Sequence, residues 1–346
     1  MNLDTKEALK SLLAHLPFGK TQTEEVYLEE AVGRVLAEEV AAIMDDPPYS
    51  QATADGYVML ASGTALASLR RPITFEVQGD IPPVSSAAEL SEGRALRVKN
   101  GGYMSIKRFL EGHYAVLKES ETKEISGTVS VARRIEKHEN ISVQGTFLKT
   151  GNTIFGKGYR IHSRDIATLA GQGVLKVVVA VPKKVALFSI GDDLLSPTKP
   201  YKIGYKYDGI SYGLAAMIKA AGGLPDFRGI VPCQLTPFAR KLSQAISEKE
   251  VDIVVMSGGT SAEGRPFTVD VVNGAGIVGL SDTEAIVESM KCVVVAADKI
   301  SPNVLAVIGK KPVISISGQK EHAAQGFRTF VRPVISHLLG ESAHSL

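Results

Sequence analysis

Residues 251–270 read VDIVVMSGGTSAEGRPFTVD, and the fold turns on this stretch. Val251 to Met256 form a nearly unbroken apolar run that stops at Ser257, Gly258 and Gly259. A short apolar run closed by glycines predicts a strand buried on both faces, as in a parallel sheet. Adjacent glycines let the backbone turn sharply and come close to a ligand. Ser257, Thr260 and Ser261 add hydroxyls and amides. Ligands of open α/β sheets bind outside the carboxyl ends of the strands, so this loop is a candidate binding site. Any strand-to-helix turn can also hold Ser-Gly-Gly, and the motif is less specific than a Walker loop.

The same alternation extends on both sides. Strands are expected at 185–190, 226–230, 292–296, 304–308 and 313–316, and helices at 211–221, after Thr236 as cap, and at 323–339 with a break near Pro333. Alternating strands and helices predict a parallel sheet. Upstream, Leu9, Leu12, Leu13 and Leu16 mark one helix face, and Leu28 to Val40 predicts a second helix; together they suggest an extended arm. Asp45, Asp46, Pro47 and Pro48 end it. Short β-type runs then fill 47–146, with a solvated hairpin expected between Lys118 and Lys137. A helix capped by Ser163 and a strand at 174–181 return to the arm. The chain thus divides into an arm domain (1–46 and 147–181, helical or mixed), an inserted mostly-β domain (47–146) and an α/β domain (182–346).

With 346 residues, 44% of them hydrophobic, the chain can bury a sizeable core. A net charge of +2 gives no reason to expect a nucleic-acid partner. No apolar run suits a signal core or a bilayer span, so no membrane is expected. Cys233 and Cys292 lie far apart, which favours two buried thiols in a reducing cytoplasm over a disulfide or zinc site. The seven histidines show no metal-ligand spacing, and neither GxGxxG nor GxxxxGK[ST] occurs.

Chemistry falls on four loops. Asp55 precedes Gly56 and could hold a metal, although an Asp-Gly turn is the commoner explanation. Asp192 and Asp193 follow a strand and could bind Mg²⁺ or cap the turn. Ser257 to Ser261 form the third loop. Ser315, Ser317, Gly318 and Lys320 form the fourth, suited to an anion, with Lys299 as a further phosphate contact or an ordinary surface lysine. Together they point to a phosphorylated or nucleotide-like ligand.

Several blocks, in order, resemble the molybdopterin molybdenumtransferase family of the MoeA and gephyrin E-domain type. Leu28 to Glu38 (LEEAVGRVLAE) is similar to its N-terminal helix, and Pro47-Pro48-Tyr49 with Ala54-Asp55-Gly56-Tyr57 to its PPFDNSAMDGYA block. Gly151 to Gly158, Gly191-Asp192-Asp193-Leu194, Tyr207-Asp208, Ser257-Gly258-Gly259-Thr260-Ser261 and Phe330-Val331-Arg332-Pro333 continue the series. The resemblance implies an α/β multidomain protein: a MogA-like doubly wound α/β domain, a helical arm and an inserted mostly-β domain. It implies a homodimer whose ligand lies between the α/β domain of one subunit and the β domain of the other.

The activity implied is molybdenum cofactor biosynthesis: insertion of molybdate into adenylylated molybdopterin with release of AMP, assisted by Mg²⁺. Asp55 and Asp193 are then the catalytic and metal carboxylates, and Asp208, Ser257, Gly258, Gly259, Thr260, Ser261, Ser317 and Gly318 shape the pterin and nucleotide pocket. Lys299 meets a phosphate, and after the Ser-Gly-Gly loop an acidic metal ligand of the family is lost or replaced by Glu263. There are departures. Asn100-Gly101-Gly102 replaces a Thr-Gly-Ala loop, Asp193 stands for glutamate, Pro302 for a second lysine, and Ser315 to Lys320 for Gly-Leu-Pro-Gly-Asn-Pro. The family's small C-terminal β domain is expected to be absent. The alternative is a non-catalytic molybdopterin-binding paralogue, a carrier or partner of a molybdoenzyme.

Overall fold

The computed structural model describes residues 5–82, 88–106, 112–260, 268 and 303–342, and the backbone of 293–295. The chain forms two compact units, one of residues 41–154 and one of residues 1–40 with 155–346.

The larger unit is built on a six-stranded sheet in the order Gly223–Val231, Lys183–Ile190, Ile253–Ser257, Lys311–Ile316, Asn303–Ile308, Val293–Val295. Side chains alternate along each strand. Val185, Leu187, Ile253, Val255, Ile314 and Ile316 enter one core cluster, and Ala186, Phe188, Val254, Met256 and Val313 another. Both faces are therefore covered, which explains the continuous apolar runs. Helix Gly209–Ala220 supplies Leu214 and Ile218 to the first cluster, and helix Leu235–Ser247 supplies Phe238 and Leu242 to the second. The first helix, Thr5–Ala14, joins the first cluster through Ala8 and Leu12.

Only the first four strands are parallel. Asn303–Ile308 runs antiparallel to Lys311–Ile316, and Val293–Val295 antiparallel to Asn303–Ile308. The cause is local: Gly309 and Lys310 both have positive φ, +56° and +65°. Two such residues make a tight hairpin, whereas a parallel pair needs a long crossover.

Other expectations also change. The second helix is one turn, Leu28–Ala31. Beyond it the backbone is claimed by neighbouring chain: Leu36 N–H donates to Tyr159 O, Ala37 N–H to Val178 O, and Ala180 N–H to Val35 O. Ser163 and Thr236 cap nothing; the helices there, Asp165–Gly171 and Leu235–Ser247, follow Arg164 and Gln234 without side-chain caps. The final helix changes character just before Pro333: α-helical Lys320–Gly326 gives way to a π-helical Phe327–Val331, and Arg332–Leu339 is α-helical again, so the ladder is already shifted where Pro333 has no N–H to offer. Cys233 is exposed, in the turn after Pro232, and Cys292 lies outside the described residues. Among the described residues no helix is long and apolar enough to cross a membrane.

The smaller unit holds a five-stranded sheet in the order Tyr114–Lys118, Gly56–Leu60, Arg94–Val98, Ile73–Asp80, Thr128–Val131. The expected hairpin between Lys118 and Lys137 is not one: Tyr114–Lys118 and Thr128–Val131 are the two opposite edges. Its charges are also paired. Arg97 forks onto Glu124 at 2.8 and 2.5 Å, and Arg133 reaches Glu121 and Glu139, each at 2.7 Å. Gly56 has no turn role. It opens a central strand, where a Cβ would stand 2.0 Å from Leu117 O.

One buried ion pair ties the larger unit together. Arg160 forks onto Glu341 at 2.9 and 2.7 Å and donates to Gly33 O and Ala221 O. Burial pushes the Glu341 carboxyl up, but the Arg160 hydrogen bonds and charge outweigh it and hold it below the usual carboxylate range. A depressed folded-state pKa gives stability that is complete above the unfolded value and lost as pH falls through the folded one. Glu341→Ala should therefore cost about 3 kcal/mol at neutral pH, because it strands a buried guanidinium. The gap from wild type in chemical denaturation should narrow below about pH 4. An equal gap at pH 7 and pH 3 would contradict this account of the pair.

Candidate functional site

The chain leaves Lys183–Ile190 for the edge strand on one side and returns to Ile253–Ser257 on the other. The helices of these two crossovers lie on opposite faces. The carboxyl ends of Lys183–Ile190 and Ile253–Ser257 thus flank a topological switch point, where a crevice opens in doubly wound sheets.

Gly258 sits at this point with φ +92°, and a Cβ there would meet Ile190 O at 2.4 Å. Its N–H donates to Ile316 O at 3.0 Å, and Ser315 Oγ donates to Gly258 O at 3.3 Å. Three strand ends are thereby locked to one residue. Gly259 has φ +69°, and its carbonyl accepts from Thr268 N–H at 3.4 Å. Gly318 packs on the same glycine: its Cβ would lie 3.1 Å from Gly258 Cα. Ser317 Oγ accepts from Gln319 N–H at 3.1 Å. Ser257, Thr260 and Ser317 are all buried. Ser261, Glu263 and Lys299 lie outside the described residues.

Asp208 is the N-cap of Gly209–Ala220 and only 2% exposed. Its carboxylate accepts from Ser189 Oγ at 2.5 Å, Ser211 Oγ at 2.7 Å and Ser211 N–H at 3.2 Å. These bonds fix the end of Lys183–Ile190 to the start of the helix. Ser189 and Ser211 were not among the residues singled out from the sequence. The available signal was Ser189, a lone hydroxyl inside the apolar strand 185–190.

The two neighbouring carboxylates separate. Asp192 Oδ1 accepts from Cys233 N–H at 3.0 Å, so Asp192 caps a turn. Asp193, half exposed, meets Lys206 Nζ at 3.2 Å, and its carbonyl accepts from Lys206 N–H at 2.8 Å. Leu194–Leu195 and Lys206–Tyr207 form a two-residue parallel ladder that closes the neck of the intervening loop. Beside it a groove of about 480 Å³ runs between helices Gly209–Ala220 and Lys320–Gly326. Its floor is apolar (Ile210, Leu214, Met217, Ala323), and Tyr207 and Lys320 stand at its rim.

Asp55 belongs to the smaller unit. Its Oδ1 accepts from Asn100 N–H at 2.8 Å and its Oδ2 from Lys99 Nζ at 3.3 Å. The Asn100 N–H, and then Lys99, hold it below the usual carboxylate range. A groove of about 310 Å³ next to it is lined by Tyr57, Asp80, Arg97, Lys99 and Glu119. Among the described residues no group of three or more His, Cys, Asp or Glu could hold a metal ion. Asp55 and Asp193 each already carry a lysine ammonium. The described residues do not fit a ready-made Mg²⁺ site.

Comparison with known proteins accounts for nearly the whole chain. Residues 3–173 match the MoeA N-terminal region (domain I and II), and residues 186–337 a probable molybdopterin binding domain. A molybdopterin molybdenumtransferase of Staphylococcus epidermidis is 26% identical over 343 residues, covering 99% of this chain and 77% of its own. One from Bacillus subtilis is 28% identical, covering 94% and 73%. The match to a Nostoc molybdopterin molybdenumtransferase, 28% identical, covers 75% of this chain but only 58% of the relative. Among solved structures, a molybdopterin biosynthesis MoeA protein of Pyrococcus horikoshii OT3 superposes with a TM-score of 0.75 at 26% identity, over 99% of this chain and 81% of that one. With both characteristic regions present in order on an α/β multidomain fold, the chain belongs to the MoeA family.

Proposed function

We propose that this protein works in molybdenum cofactor biosynthesis as a molybdopterin molybdenumtransferase, inserting molybdate into adenylylated molybdopterin with release of AMP. The observation that carries this reading is the convergence on one switch point of the loops bearing Asp193, Asp208, Gly258 and Gly318. Relatives named for the transferase support it over a non-catalytic carrier.

The chain's own residues supply binding and orientation. The 257–260 loop offers buried hydroxyls and closely approaching backbone to a ligand rich in hydrogen-bonding groups. The apolar groove beside Tyr207 suits a flat ring system, with Lys320 at its rim to meet an anionic group. Asp208 holds strand and helix in register beneath it. Asp193 and Asp55 are the carboxylates of the reaction, and Ser261, Glu263 and Lys299 complete the reading from sequence. In the same reading the protein is a cytoplasmic homodimer that hands its product to a molybdoenzyme.

Purified protein incubated with adenylylated molybdopterin and molybdate should release AMP only when molybdate is present. Asp193→Asn should lower that release at least tenfold while leaving the fold intact by circular dichroism. Tight binding without release, in wild type, would favour the carrier instead. Gly258→Ala should lose binding and also stability, by roughly 1–3 kcal/mol, since it combines a disfavoured φ with a carbonyl collision. A Gly258→Ala protein with unchanged melting and unchanged binding would remove this loop from the site.

A further inference from the structure

The two carboxylates proposed for the reaction share a feature that the sequence did not suggest. Each is met by a lysine whose place is set by the backbone. Lys206 N–H donates to Asp193 O at 2.8 Å, while its Nζ lies 3.2 Å from Asp193 Oδ2. The ladder between Leu194–Leu195 and Lys206–Tyr207 holds the two residues together. In the smaller unit Asn100 N–H grips Asp55 Oδ1, and the preceding residue, Lys99, reaches Oδ2 at 3.3 Å. Glu119 reinforces this pair: its N–H donates to Asp55 O at 3.0 Å, and its Oε2 lies 3.9 Å from Lys99 Nζ.

We propose that Lys99 and Lys206 are the resident cations of Asp55 and Asp193, standing where a divalent ion would otherwise neutralise them. The proposal rests on the reading that these two carboxylates serve the reaction. Mg²⁺ binds carboxylate oxygen at about 2.0–2.1 Å and demands near-octahedral surroundings. An ammonium already occupies one oxygen of each carboxylate, and among the described residues no group of three or more His, Cys, Asp or Glu stands ready to hold an ion. The lysines have a second effect. Bare carboxylates repel an approaching oxyanion, whereas each lysine cancels one of those charges and adds spare ammonium N–H donors. A polyanionic ligand could thus be accepted without a metal as charge bridge. Both lysines are about four-fifths exposed, so each pair is worth only up to about fivefold in an equilibrium constant.

Direct Mn²⁺ titration, followed by electron paramagnetic resonance and without ligand, tests this separately from turnover. Wild type should bind Mn²⁺ weakly. Lys99→Met and Lys206→Met should each tighten binding about three- to fivefold. Lys99→Arg and Lys206→Arg should stay at the wild-type level. The gain should vanish when Asp55→Asn is added to the first variant and Asp193→Asn to the second. Equal Mn²⁺ affinity in wild type and both methionine variants would overturn the proposal, as would a gain that survives loss of the carboxylate. Failure of AMP release in the transferase assay would leave these Mn²⁺ outcomes unchanged, so the two readings fail independently.

Discussion

The collision that a Cβ at residue 258 would make with Ile190 O is the constraint on which the larger unit's crevice depends. Without a side chain there, the loop after one central strand can lie directly on the end of its neighbour. The Gly258 N–H can then reach Ile316 O on the next strand. Three strand ends are brought to one point, and the loops that leave them have no choice but to share it. Asp208 fixes the fourth element by binding Ser189 and Ser211 together. The site is assembled from backbone proximity and buried hydroxyls more than from charge. That composition suits a ligand recognised along its length by hydrogen bonds.

The central strands and the glycine loop were legible because their signals are local. An apolar run from Val251 to Met256 with glycines at its end can do little else in a sheet covered on both faces. Lys183–Ile190 was found for the same reason; the edge strand Gly223–Val231, which carries Asp226 and Arg228, was expected only over 226–230. What was not legible depends on partners distant in the chain. Val35 and Leu36 have helical spacing with Leu28, yet strand Lys176–Ala180 and residues near Tyr159 claim their backbone. The strands at 118 and 128 look like a hairpin because they are close in sequence, but their pairing partners lie elsewhere in the sheet. The antiparallel turn at Gly309 and Lys310 was readable in principle, since a two-residue link excludes a crossover.

The site shows the same division. Gly258, Gly318 and Asp208 were visible from strand ends and family resemblance. Lys99 and Lys206 were not, because nothing in the spacing of a lysine from an aspartate 44 or 13 residues away reveals that they meet. Their positions follow from ladders and turns that exist only after folding. The acidic residues carried over from the family were thus found without the cations that accompany them.

The Ser189, Asp208 and Ser211 cluster has a consequence for how this protein can vary. All three side chains are buried, and the carboxylate draws on both hydroxyls. Replacing one serine leaves a charge short of a donor in a place water does not reach, whereas a coordinated exchange of all three for apolar groups avoids that penalty. The effects of single substitutions at these positions are therefore not additive. Viable descendants of this sequence must change the three together or keep them together, so a strand end and a helix start nineteen residues apart are inherited as one character.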